Sequence, residues 1–185
     1  MVGLALTVAV NQRDWFWDPS SYHKLYEPLS TVPARIFRLY HLEIALYAYS
    51  IGKMFYEPNM KDFWAMLVHH LVTLTLLISS WRLETTKYGA VIMLLHDAAD
   101  PLMELAKCSL YAGFEGAANA FFLLFASTFI YLRDYVYPRH IIWNTYLQLT
   151  ANQVAFRLPT MACLVALWIL HMFWSVLVHA ICWVY

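Results

Sequence analysis

The chain has 185 residues, 62% of them hydrophobic and 13% charged, with a formal net charge of zero. A soluble domain of this length cannot hide so much apolar surface, so a water-soluble globular fold is excluded. The lack of any basic run also argues against nucleic acid as a partner and against strong attraction to anionic lipid.

Five continuous apolar stretches, at about 34–56, 62–81, 88–111, 117–137 and 158–183, are each long enough to cross a bilayer, which takes about 20 residues. They are runs rather than alternations, which sets aside a β-barrel. The expected fold is an all-α, polytopic transmembrane helical bundle with five full spans. A short N-terminal apolar stub, VGLALTVAV, precedes them; it is too short to span and lacks the basic start of a signal peptide. Residues 11–33 form the longest polar connector, and Trp15, Phe16, Trp17, Tyr22 and Tyr26 suit a segment at headgroup level. The connectors EPNMK, RLETTK and GFEG are short, so consecutive spans are predicted to be antiparallel neighbours. Residues 138–157 are longer and mixed, and read as an interfacial helix between the last two spans. No linker, low-complexity tract or repeat divides the chain, so residues 1–185 read as one domain. Cys108, Cys163 and Cys182 show neither metal spacing nor a disulfide framework, which leaves packing as their role.

Ionisable side chains inside a membrane helix cost about 2.5–3.5 kcal/mol each on insertion scales, so a cluster of them needs a reason. The second span carries His69, His70, Thr73, Thr75, Ser79 and Ser80, with positions 69, 73, 76 and 80 on one stripe at helical spacing. The third carries His96, Asp97, Asp100, Glu104 and Lys107, with 96, 100, 104 and 107 on one stripe. A hairpin centred near residue 84 brings position 69 level with 99 and position 73 level with 95. The two polar clusters then meet at one depth, about 10–12 Å inside the end marked by Lys61 and Lys107, at about 1.5 Å per residue. Pro101 removes a backbone donor and is expected to kink the third span beside the carboxylates. Glu104 and Lys107 read chiefly as an i,i+3 ion pair at the membrane edge. His41 and Glu43 in the first span admit a structural or a functional reading. His171 and His179 lack acidic neighbours on their own span and read as packing or interface histidines.

Three chemistries fit the facing clusters. In acyl transfer, a histidine beside a carboxylate serves as general base or as the nucleophile, through an acyl-imidazole. In metal chemistry, three histidines and two carboxylates could hold zinc or iron, although no HxxxH or HxxHH spacing is present and adjacent helical histidines diverge by about 100°. In a lipid-binding or interaction protein, the cluster would be structural glue.

The stretch HHLVTLTLLISSWRLETTKYGAVIMLLHDAADPLMELAK, residues 69–107, resembles the signature block of ceramide synthases within the TLC-domain family. His69, His70, Thr73, Leu76, Ser80, Gly89, His96, Asp97, Asp100, Glu104, Ala106 and Lys107 fall on that block without a gap. Softer similarity lies in KDF at 61–63, in Arg133 with YP at 137–138, and in LHMFW at 170–174. Trp81 replaces the usual tyrosine, Glu84 the asparagine, Lys87 the arginine and Met103 the leucine. The resemblance implies transfer of a fatty acyl group from acyl-CoA to a sphingoid base, giving ceramide or dihydroceramide in the endoplasmic reticulum membrane. It implies catalytic roles for His69, His70, His96, Asp97 and Asp100, and substrate binding by Thr73, Ser80, Glu104, Lys107 and Arg133. No metal and no cofactor is expected beyond acyl-CoA as co-substrate. The expected partners are acyl-CoA, the sphingoid base and membrane lipids, with no nucleic acid; a homo- or hetero-dimer is compatible with the family. The lack of a preceding homeobox-like region and of a complete first helix reads as a fragment or a minimal form.

Orientation is contested. Nine of the twelve Lys and Arg lie on the side of the RLETTK connector, which the positive-inside rule would place in the cytosol. The family resemblance places the EPNMK connector and the C-terminus there instead. The second orientation is the expected one, because acyl-CoA is cytosolic and the histidines lie nearer that end.

Overall fold

Apolar runs without internal proline or glycine form regular helices here, and the interruptions fall where the backbone chemistry changes. A computed structural model describes residues 32–56, 62–152 and 157–184. Helix α1 is Ala34–Met54, α2 Phe63–Arg82, α3 Thr86–Asp97, α4 Asp100–Tyr111 and α5 Glu115–Ile130. A π-helical stretch, Tyr131–Ile142, leads into α6, Trp143–Asn152, and α7 is Arg157–Val184. The described residues are all-α, with no strand among them. The N-terminal stub, residues 11–31 of the long polar connector, and the connector at 57–61 lie outside the described residues.

Three helical segments are long and apolar enough to cross a membrane: Phe63–Arg82, Glu115–Leu147 and Leu158–Cys182. Much of their outer surface is bare hydrocarbon, with Trp64 75%, Val176 66% and Ile169 61% exposed, which suits lipid rather than water. Lipid tails are as apolar as leucine, so close packing rather than hydrophobic burial holds such a bundle together. The two other expected spans take different forms. Helix α1 has 21 residues, about 30 Å at 1.5 Å per residue, but Arg35, Arg38, Glu43 and Lys53 make it more polar than the other three. The segment expected at 88–111 is two helices of 12 residues each, broken at Ala98 and Ala99. Pro101 offers no N–H to the Asp97 carbonyl and its ring crowds that carbonyl, so it sits instead in the first turn of a new helix, where neither defect matters.

The fourth span departs from expectation in the opposite sense. Pro138 reads in the sequence as a boundary between a span ending at 137 and an interfacial helix. The helix instead continues past it by widening: the Trp143 N–H donates to the Pro138 carbonyl five residues back. The wider coil gives the ring room, while the missing proline donor costs one ladder bond in either geometry.

Two helix ends share one design. At the end of α2 the Thr85 N–H bonds the Ser80 carbonyl at 2.9 Å and the Glu84 N–H bonds Trp81 at 3.3 Å. At the end of α4 the Phe114 N–H bonds Ser109 at 2.9 Å and the Gly113 N–H bonds Leu110 at 3.0 Å. Both are Schellman endings, which need a left-handed residue. Gly113, at φ 81°, provides it without strain, whereas at the first ending Glu84 is forced to φ 56°. The asparagine that the resembling family uses at this position tolerates that conformation better.

The hairpin is pinned to α1. Helices α1 and α2 run antiparallel: the Tyr40 hydroxyl lies 2.8 Å from Ser80 Oγ, the Tyr47 ring 5.5 Å from that of His70, and the Phe55 ring 5.9 Å from that of Phe63. The Tyr40 hydroxyl also donates to the Thr86 carbonyl at 3.0 Å. Gly89 lets α3 approach this point; a Cβ there would lie 1.9 Å from the Tyr40 oxygen and 2.7 Å from Ser80 Oγ. Trp81 fills the neighbouring space, with its ring centroid 5.4 Å from those of Phe37 and Tyr40. Cys163 and Cys182 are partly buried, but Cys108 is exposed on α4, so it does not serve the packing role expected from the sequence.

Candidate active site

The polar clusters of the second and third expected spans converge on one cavity of about 630 Å³. Glu43, Leu46, Tyr47 and Ser50 of α1 form one wall, and Met66, His69 and His70 of α2 a second. His96 and Asp97 end α3 on a third side, with Asp100, Pro101 and Glu104 continuing across the helix break; Arg133 and Trp174 complete the lining. The break matters here, because it lets residues from both halves of the interrupted span face the same space.

His69 lies at the centre of the aromatic contacts. Its ring centroid is 5.5 Å from that of His70, 6.2 Å from His96, 6.3 Å from His171 and 5.3 Å from Trp174. Trp174 is itself tethered, its indole N–H donating to Asp62 Oδ2 at 3.3 Å. His96 Nδ1 lies 2.7 Å from the Ile92 carbonyl oxygen, which can only accept. That nitrogen therefore carries the proton, and in the neutral ring Nε2 is an acceptor. His171 Nε2, 3.0 Å away, is then the donor into it. These tautomers are assigned from the hydrogen-bond network. The Tyr137 ring stands edge-on to both, at 5.6 Å from His96 and 5.3 Å from His171.

Arg133 holds the break together. It is 8% exposed, and its Nη2 donates both to the His96 carbonyl and, at 3.2 Å, to Asp100 Oδ1. Its guanidinium lies 4.4 Å from the Phe129 ring centroid, in cation–π geometry.

All five residues expected to be catalytic, His69, His70, His96, Asp97 and Asp100, line the cavity, as do Glu104 and Arg133. Three others do not. Thr73 is buried and its hydroxyl donates to the His69 carbonyl at 2.8 Å, bracing the helix beneath the histidine. Ser80 is engaged with Tyr40 at the hairpin pin. Lys107 extends from the same helix as Glu104 and pairs with it at 2.8 Å. No histidine among the described residues is hydrogen-bonded to Asp97 or Asp100, where the sequence suggested carboxylates orienting the rings; the orienting partners of His96 are a carbonyl and another histidine. His171 was legible only as a packing residue, since its partners come from other helices. A signal for it does exist in the LHMFW resemblance, which places it one turn from the tryptophan against His69. Among the described residues no three or more His, Cys, Asp or Glu side chains are grouped to hold a metal ion. The cavity lining is acidic on balance, with Glu43, Asp97, Asp100 and Glu104 facing one guanidinium, that of Arg133.

Known proteins are similar to this chain over most of its length. Ceramide synthase LOH1 of Arabidopsis thaliana is 35% identical over 150 residues, covering 76% of this chain and 48% of the relative. Ceramide synthase 4 of Bos taurus is 29% identical over 181 residues, covering 97% of this chain and 45% of the relative. Ceramide synthase 5 of Homo sapiens is 31% identical over 170 residues, covering 90% and 43%. The chain thus spans about half the length of these relatives. Residues 1–179 match the TLC domain model, and the chain belongs to the TLC domain family.

Proposed function

We propose that this protein is an acyl-CoA-dependent N-acyltransferase that joins a fatty acyl group to the amine of a sphingoid base, making ceramide or dihydroceramide in the endoplasmic reticulum membrane. The observation that carries this reading is the convergence of His69, His70, His96 and Asp97 on one cavity inside an apolar helical bundle. The similarity to ceramide synthases supports it. In this reading residues 1–185 act as one domain with five membrane crossings, α1 and the broken pair α3–α4 being the two more polar ones.

The chemistry follows in two steps. His69 attacks the thioester carbonyl, the C–S bond breaks, and CoA leaves as the thiol after taking up a proton. The amine then attacks the acyl-imidazole, the C–N bond to His69 breaks, and the amide is released. His70 is the better acceptor for the amine proton. It is only partly buried and its Nδ1 has no partner, whereas both nitrogens of His96 are engaged. Arg133 and Asp100 keep the helix break, and with it His96, in place. Purified protein given acyl-CoA and sphinganine should form dihydroceramide detectable by mass spectrometry. With acyl-CoA alone it should release at most one CoA per site and add one acyl mass to the peptide holding His69. Absence of the amide product would refute the function; product without any acyl adduct under rapid quench would refute the two-step route and make His69 the base of a direct transfer.

A further inference from the structure

The least explained group in the cavity is on α1. Glu43 is 2% exposed, lines the cavity, and its Oε1 accepts no hydrogen bond. A buried carboxylate without a cation is costly and usually loses its charge or finds a partner. The described residues give it no ion pair. Arg133, the cation in the lining, is committed to the His96 carbonyl and to Asp100. The Asp97 carboxyl lies within hydrogen-bond reach of Glu43, so two acidic groups face each other there, with no cation of the described residues between them.

Its position is informative. Because Tyr40 lies beside Ser80, Tyr47 beside His70 and Phe55 beside Phe63, Glu43 is about one turn, some 6 Å of helix rise, beyond the histidines. It lies on the side away from Ser50 and Met66. Tyr47, one turn along the same helix, touches both histidine rings, at 6.4 Å and 5.5 Å between centroids.

We propose that Glu43 is the ammonium-binding residue of this cavity: its buried carboxylate takes the cationic headgroup of a single-chain lipid amine and holds it one helical turn from His69 and His70. The identity of that amine as an acyl acceptor rests on the N-acyltransferase reading; the ammonium site itself does not. A carboxylate at this inner position favours the amine end of a lipid over an uncharged headgroup.

The test uses the full chain in lipid nanodiscs and a sphinganine bearing a photoactivatable diazirine on its chain, with saturable labelling competed by sphinganine or by uncharged N-acetylsphinganine. Glu43→Gln keeps the shape and removes the charge. It should weaken competition by sphinganine about tenfold or more, the scale of one hydrogen bond to a charged group. Competition by N-acetylsphinganine and the KM for acyl-CoA should stay unchanged, and Glu43→Asp should recover part of the loss. Unaltered sphinganine competition in Glu43→Gln overturns the proposal, and so does an equal loss for the neutral analogue, which would mark a structural role. If the wild type binds sphinganine through Glu43 but makes no amide, the N-acyltransferase reading falls and the ammonium site stands. If amide forms with an unchanged KM for sphinganine in Glu43→Gln, the ammonium site falls and the enzyme reading stands.

Discussion

Replacing Arg133 by methionine keeps most of the side-chain length and removes the guanidinium that bridges the α3–α4 break. Three losses can be sized from the structure. The His96 carbonyl, at a residue only 3% exposed, loses a donor, at about 1–3 kcal/mol. The Asp100 side chain is 64% exposed, so its ion pair is weighted like a surface pair, at about 0–1 kcal/mol. The contact with the Phe129 ring adds about 0.5–1 kcal/mol. Arg133→Met should therefore cost about 1.5–5 kcal/mol, most of it from the carbonyl. Unfolding by SDS in mixed micelles, followed by far-ultraviolet circular dichroism, measures this directly. Asp100→Asn alone should cost under about 1 kcal/mol, and the coupling between the two substitutions should be equally small. A coupling as large as the whole Arg133→Met effect would assign the stabilisation to the ion pair and refute the account of the carbonyl. Unchanged stability of Arg133→Met would refute the bridging role altogether. Because His96 sits at the break, N-acylation should fall with stability even under conditions where the variant remains folded.

Four other outcomes are expected. His69→Ala and His70→Ala should each lower N-acylation at least about a hundredfold while the protein still inserts; full activity in either one removes that residue from the mechanism. Glu84→Asn should raise stability by about 0.5–1 kcal/mol in the same SDS titration, since it relieves the left-handed strain at φ 56°, and no gain would mean that Glu84 has a compensating contact. Gly89→Ala should destabilise by about 1–3 kcal/mol, because its Cβ would meet the Tyr40 oxygen at 1.9 Å, and Tyr40→Phe should recover part of that loss when the two are combined. In a background without native cysteines, Glu115→Cys should react with an impermeant maleimide from the cytosolic side and Arg82→Cys only from the lumenal side; the reverse pattern would support the charge-based orientation and leave acyl-CoA without a direct route to the histidines.

The helices that are plain apolar runs were legible because a membrane span is a local property: α2 and α7 begin and end within two residues of the expected stretches. The histidine–aspartate convergence was legible for a related reason, since a short connector fixes the register of a hairpin. Pro101 and Pro138 show where local reading divides. Both remove a backbone donor, yet the helix breaks at the first and widens at the second. Proline chemistry is common to both, so the difference lies in what packs around each: Arg133 reaches across the break near Pro101, whereas Tyr137 and Ile141, both fully buried, keep the π-helical stretch docked around Pro138. Ser80 shows the same division. Its stripe position next to the histidines points at the site, but its partner in the fold is Tyr40, forty residues away and on another helix.

His171 and Glu43 carry this argument to the cavity itself. Neither has a charged companion one turn away on its own helix, so neither is marked as part of an ionisable cluster. Tertiary packing supplies the companions: His171 finds His96 at 3.0 Å, and Glu43 finds a cavity with Asp97 beside it. An isolated ionisable residue in a membrane helix is costly whether or not its partner is visible in the sequence. Its cost is therefore the signal, and the partner is the quantity that only the fold supplies. For His171 the fold supplies another ring. For Glu43 it supplies an acidic space next to the histidines, and a cationic amine is the ligand that such a space would stabilise.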